Sequence, residues 1–215
     1  MQRAWVVGVT ALCLLASCAK QANPNQGSGV QKSEQRSVAE FRKLRASGIV
    51  AVELTIGAPC LAEITTDDNL LGLVTTTLQD GVLVIKTAET MRPKVPARVR
   101  LCTPALDAID VEGASQATVG KLQTDRLQIR EAGAAKLRVN GSATAVDLKL
   151  GAASQAELTE LSIATANVHV DQAGSAHFGY VETLNVTITG PGTVRYRGQP
   201  IITRSVTKLA RLIQD

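Results

Sequence analysis

A six-residue phrase returns five times in the second half of the chain, and it constrains the fold more than any other feature. It reads ASQATV at 114–119, AGAAKL at 132–137, ASQAEL at 153–158, AGSAHF at 173–178 and PGTVRY at 191–196. The starts lie 18, 21, 20 and 18 residues apart, a period typical of one solenoid turn. Superimposing the phrases also lines up what precedes them. Ile109, Leu127, Leu148, Val168 and Val186 fall five positions upstream, and Val111, Ile129, Leu150, Val170 and Ile188 three upstream. Within the phrase, the columns that begin at Ala117 and Val119 are apolar as well. Alternation within each repeat means strands, and identity between repeats means that the strands stack their inner faces into one core. The expected fold is all-β, a single-domain parallel β-helix. Leu150 should point inward and Lys149 outward.

Composition agrees with a narrow interior. Aromatics make up 2% of the chain, and outside the N-terminal region only Phe41, Phe178, Tyr180 and Tyr196 remain. The core must therefore be built from Val, Leu, Ile and Ala, which suit stacked strands spaced ~4.8 Å apart. The net charge is +4 with both signs interleaved. A nucleic-acid surface would gather Lys and Arg on one face beside stacking aromatics. Neither is visible, so no nucleic-acid partner is expected.

The N-terminal region reads as an address. Arg3 precedes an apolar run from Ala4 to Ala16, which has signal-peptide length and is too short to span a bilayer as a helix. The run ends in LASC at 15–18, which resembles a bacterial lipobox, so Cys18 is expected to be lipidated and to become the mature N-terminus. The alternative is an ordinary signal with a chance cysteine. Several acyl chains on one residue anchor stably where one does not. Ala19 and Lys20 follow, and the lack of Asp there resembles outer-membrane sorting in diderm bacteria. Residues 18–37 are then a lipidated N-terminus and flexible tether, since 21–37 is polar and rich in Asn, Gly and Ser. With Cys13 in the signal (1–17), Cys60 and Cys102 remain. In an oxidising envelope compartment they suggest a disulfide; the alternative is two buried thiols. Neither has the neighbours of a zinc site, and no metal or cofactor is expected.

Before the repeats, strand-like alternation is visible at 49–54, 61–65, 73–78, 82–85 and 98–101. Gln79-Asp80-Gly81 between the third and fourth signals a hairpin. These strands are expected to cap or extend the β-helix over 38–203. Helical apolar spacing occurs at 206–213 alone, so 204–215 is read as a cap or tail that covers the last open edge.

Several of these segments together resemble the head GIN domain of putative auto-transporter adhesins. FRKLRASG at 41–48 with Gly57 after the next strand resembles its opening. DDNL at 67–70, QDGVL at 79–83 and PAL at 104–106 follow in the family's order, and TGPGTVRYRGQP at 189–200 resembles its closing phrase. The likeness spans about 41–203. It implies an all-β protein with a parallel β-helix body and an adhesin-like role, and it brings no catalytic or binding residues. The chain departs from the pattern by carrying Ala or Ser where paired glycines are common, and by having Cys60 and Cys102.

The outward columns carry little chemistry. They read Asp110, Gln128, Lys149, His169, Thr187; then Glu112, Arg130, Gly151, Asp171, Thr189; then Thr118, Lys136, Glu157, His177, Arg195. A glycosidase needs two carboxylates ~5–10 Å apart around one bond. Asp110 and Glu112 share a face, but no acid follows on the next rung. His169 and His177 fall in different columns and lack the further ligands of a metal site. Phe178 and Tyr196 lie in a core column, and Tyr180 falls on Phe178's side, which leaves no stacking platform for a sugar. The resulting expectation is a lipid-anchored envelope protein that works by contact, as an adhesin or as a scaffold for other envelope components, with an envelope or surface protein or polysaccharide as partner and no catalysis. The competing expectation is a polysaccharide lyase or hydrolase on a β-helix.

Overall fold

Side chains that alternate between apolar and polar leave the backbone one way to bury half of them, and the chain takes it throughout. The computed structural model describes residues 23–58 and 60–215, among which sixteen strands join a single sheet network. The N-terminal part holds β1 (Gln31–Arg36), β2 (Lys43–Ser47), β3 (Ala51–Ile56), β4 (Ala62–Asp67), β5 (Val74–Gln79), β6 (Val82–Thr87) and β7 (Arg98–Thr103). The repeats form β8 (Ala108–Val111), β9 (Gln116–Glu131), β10 (Lys136–Leu150), β11 (Gln155–Leu158) and β12 (Leu161–Val170). They continue through β13 (Ser175–Ile188), β14 (Thr193–Arg197), β15 (Ile201–Val206) and β16 (Arg211–Gln214).

The repeats wind as a parallel β-solenoid. One side stacks β3, the first half of β9, the first half of β10, β11, the first half of β13, β14 and β16 in parallel register. The other stacks β2, β8, the second halves of β9 and β10, β12, the second half of β13 and β15. Between them the long strands bend and form a short third side. The corner that joins the two large sides is tight. A Cβ on Gly113 would lie 2.8 Å from the Gly48 carbonyl oxygen, and one on Gly133 2.7 Å from that of Gly113. All three glycines have positive φ and leave no room for a side chain at these rungs, while Ala152 takes the same corner at φ 54° on the next.

The N-terminal strands extend the solenoid and close it. β6 pairs with β2 and β7 with β3, both parallel, so a rung later in sequence sits beneath an earlier one. Antiparallel strands then finish the end: β5 on β6 through the Asp80-Gly81 turn, where φ is 50° and 75°, and β4 on β7 with β1 outermost. The hairpin read from the sequence is this closure.

The four inward columns are buried as expected, from Ile109 and Val111 at 0% exposure to the half-buried Tyr196 at the last turn. Leu150 is inside and Lys149 outside. Their register differs from the sequence alignment in one repeat. Ala117 pairs with Leu137 rather than Ala135, and Ile109 with Ile129 rather than Leu127. The second phrase is therefore displaced by two residues. The displacement brings Glu131 into the apolar column between Val111 and Leu150.

Two expectations about the ends are corrected. Gln31–Arg36, read as part of a flexible tether, is β1. It is held by the segment before it, which docks on a buried carboxylate: Asp67 accepts from the N–H groups of Gly29 at 2.6 Å and of Lys94 and Val95 at 2.9 Å. Burial alone would raise the pKa of this group, yet the N–H groups of Val95, Gly29 and Lys94 hold it below the usual carboxylate range. Asp67→Ala should therefore raise amide exchange across Gln31–Arg36 by about tenfold or more while β9–β13 stay protected, because three buried donors lose their acceptor. At the other end, residues 204–215 form neither helix nor separate cap. β15 and β16 are one more solenoid rung, parallel to β13 and β14.

Candidate functional site

Outward side chains stand in columns because the register is parallel, so each side of the solenoid can be inspected as a surface. On the first side a column runs through Glu53, Thr118, Arg138, Glu157, His177 and Arg195. The charges at its two ends are paired with neighbouring side chains. Glu53 holds Arg98 at 3.2 Å and Arg100 at 2.9 Å, while Asp215 holds His177 at 2.7 Å and Arg195 at 3.0 Å.

The second side carries a column of Arg45, Asp110, Arg130, Lys149, His169, Thr187 and Ser205. Arg130 stands where the sequence alignment placed Gln128, and the residue above Glu112 is Ala132 rather than Arg130. Asp110 is paired with Arg45 at 3.1 Å and Glu112 is exposed. The two carboxylates therefore face no second acid and enclose nothing. Beside them runs an amide ladder. Arg126 donates to Asp147 at 2.8 Å, Asn167 donates to Asp147 at 2.9 Å, and Asn185 donates to Asn167 at 2.9 Å. The Asn167 amide and the Arg126 guanidinium outweigh partial burial and hold the Asp147 carboxyl below its ordinary pKa.

The histidines stay apart. His169 contacts Asp171 at 2.7 Å on the second side, while His177 sits with Glu157 and Asp215 on the first. Among the described residues no group of three or more His, Cys, Asp or Glu is placed to hold a metal ion. Cys60 and Cys102 are joined as a disulfide with Cα atoms 5.3 Å apart, at the surface beside β3 and β7. Cys18 and the signal segment lie outside the described residues.

The third side holds what the sequence reading missed. A groove of about 1100 Å³ runs along the bend of the long strands, between walls of small polar side chains. Tyr180 stands in its wall and is 76% exposed, although alternation from Phe178 predicts it inside. The reason is local. Phe178 and Gly179 are both buried, and the parallel register between β13 and β14 shifts between His177 and Tyr180. A Cβ at Gly179 would lie 2.4 Å from the Thr159 carbonyl oxygen, so only glycine lets the strand bulge there and turn the next ring outward. Gly179 was the available signal, because glycine inside a strand marks a bulge.

The family described as "Putative auto-transporter adhesin, head GIN domain" matches residues 40–200. Among solved structures, the chain is similar to a putative adhesin from Bacteroides fragilis at 19% identity and a TM-score of 0.69, over 88% of this chain and 99% of that one. It is similar to a putative adhesin from Parabacteroides merdae at 17% identity and a TM-score of 0.56, over 88% and 98%. A third, a putative lipid binding protein from Parabacteroides distasonis, matches at 15% identity and a TM-score of 0.55, over 88% and 98%. At these identities the likeness is one of fold. None of the curated proteins matches the chain in sequence.

Proposed function

The chain belongs to the head GIN domain family of putative auto-transporter adhesins, and on that footing we propose a lipid-anchored envelope protein that works by contact rather than catalysis. The observation that carries this reading is the state of the outward columns. Carboxylates along the stack are engaged by neighbouring arginines in Glu53–Arg100, Arg45–Asp110, Arg126–Asp147 and Asp215–Arg195. Catalysis requires titratable groups that converge with opposed environments. Here the two interior carboxylates, Asp67 and Glu131, are buried on separate strands, Asp110 and Asp147 are engaged by arginines, and the exposed Asp125 and Glu182 stand three rungs apart, about 14 Å by strand spacing. What remains is a long, rigid surface, which solenoids use for binding.

The lipobox-like LASC at 15–18 supports anchorage through Cys18, and the residues after it support the outer membrane. The test is fractionation. Wild-type protein should sediment with envelopes and require detergent for release. Cys18→Ser should appear in the soluble fraction or accumulate unprocessed. Wild-type protein that is soluble without detergent would end the anchorage reading. A parallel assay of reducing ends released from envelope and host polysaccharides should stay at background. Activity that disappears with Asp110→Asn and Glu112→Gln together would establish the enzyme instead.

A further inference from the structure

The third side of the solenoid differs from the other two in chemistry. Its floor is apolar and shallow: Ala143, Ile163 and Val181, each at 5–6% exposure, stack over successive rungs. One wall is the outward column Gln123, Ser142, Ser162, whose next rung carries Tyr180. The opposite wall holds Asp125, Thr144 and Glu182. None of these side chains is tied into the ion-pair ladders that occupy the other two sides. The cation at the groove's end, Arg42, is already engaged with Asp107 at 2.6 and 2.8 Å.

Each part suits a sugar chain. Pyranose rings have apolar faces and hydroxyl edges. The exposed ring of Tyr180 is offered to a sugar face, and the Gln, Ser and Thr walls offer donors and acceptors for the hydroxyls. Free carboxylates accept from paired hydroxyls and repel anionic polymers. Tyr180 supplies a ring that is 76% exposed and has Gly198 along one edge, where a Cβ would lie 3.0 Å from Cδ1. That exposure leaves the ring available to stack. Rungs ~4.8 Å apart repeat these elements, so successive sugars meet successive rungs.

We propose that this groove binds a neutral polysaccharide lengthwise, with Tyr180 as its stacking platform and Ser142 and Ser162 as hydrogen-bonding partners. The proposal rests on the contact reading above and names its ligand class.

The test uses the full-length protein in detergent, with cellulose, mannan, xylan and starch as solid phases and polygalacturonate as the anionic comparison. At least one neutral polymer should retain the protein. Tyr180→Ala should weaken that retention about tenfold, as loss of one aromatic platform would. Ser162→Leu, which fills the groove from an exposed position, should do the same. Lys149→Asp, on the second side, should leave it unchanged. Three results would overturn the proposal: no neutral polymer retained, retention by polygalacturonate alone, or retention indifferent to both groove substitutions. Failure of this kind leaves envelope fractionation and background reducing ends unaltered, so the contact reading survives it. Reducing ends released from a retained polymer would instead overturn the contact reading.

Discussion

Leu150→Asp is expected to abolish folding, while Lys149→Asp, one residue away on the same strand, leaves it intact. Leu150 is 1% exposed and stacks between Glu131 and Val170 in the inner column. A carboxylate there has no cation or donor set to receive it, and burying an unpaired charge costs several kcal/mol. The neighbouring Glu131 adds a second acid in the same desolvated stack. Against a total stability of roughly 5–15 kcal/mol, that loss removes the native state or most of it. Lys149 is exposed and flanked in register by Arg130 and His169, so an acid there meets two basic neighbours. Its effect should stay within about 0.5 kcal/mol. Circular dichroism melts of both variants, with Leu150→Met as a size control, decide the matter. A cooperative, near-wild-type melt for Leu150→Asp would show that the inner column is not the core.

The inside and outside of this fold were legible in the sequence, but the neighbours were not, and the reason is the period of the strand. A slip of two residues leaves every side chain on its own face, whereas a slip of one would reverse them all. Aligning AGAAKL at 132 instead of the segment two residues later therefore kept every burial assignment and misplaced every partner of that repeat. The bend of β9, where Lys121 has a φ of 60° and its N–H reaches the Asn140 side-chain oxygen at 2.8 Å, also holds one residue more than that of β10, so the offset between the two strands changes by one residue across the bend. The alignment that maximised apolar columns also hid Glu131, since the true register carries an acid in one of them.

The ends were less legible for another reason. Gln31–Arg36 is an edge strand whose side chains are almost all exposed, so no apolar period marks it. Lys32, Glu34 and Arg36 are the charges that edge strands commonly carry. What holds its approach is the buried Asp67, which reads in sequence as one more turn residue. At the other end, β15, β16 and the turn between them are covered from one side only, which leaves Ile201 at 75% and Leu209 at 73% exposure. Their apolar residues lost the clean alternation of an inner rung and resembled a helical turn. Tyr180 was missed because the alternation rule was carried through a glycine.

Glu131 carries the second large effect, a stability that falls as the pH rises. Its side chain is 3% exposed, and neither carboxylate oxygen has a hydrogen-bond partner. Val111 and Leu150 stack on either side of it. The adjoining turns contribute the buried Ser115, Ala135 and Ser154, none of which titrates. Burial pushes its pKa up to about 8 from 4.5, and the N–H of Gln155 offsets this only in part, being engaged with the Ala135 carbonyl at 2.9 Å. Below pH 4.5 both folded and unfolded chains hold the proton, and nothing is lost. Between 4.5 and about 8 the unfolded chain releases it while the folded chain keeps it, so stability drops by roughly 1.4 kcal/mol per pH unit. Above about 8 both are ionised and the full penalty stands, on the order of 5 kcal/mol. The carboxyls of Asp67, Asp107 and Asp147 are all held below their ordinary range, so they titrate beneath this window and do not confuse it. Glu131→Leu restores the apolar column and should flatten the profile. Its advantage over wild type should widen from pH 5 to pH 8, as read from urea midpoints at constant ionic strength. Glu131→Gln should flatten the profile too but gain less, because it leaves a buried amide without partners. Parallel pH profiles for wild type and Glu131→Leu would show that this carboxyl is not a buried acid in the folded protein.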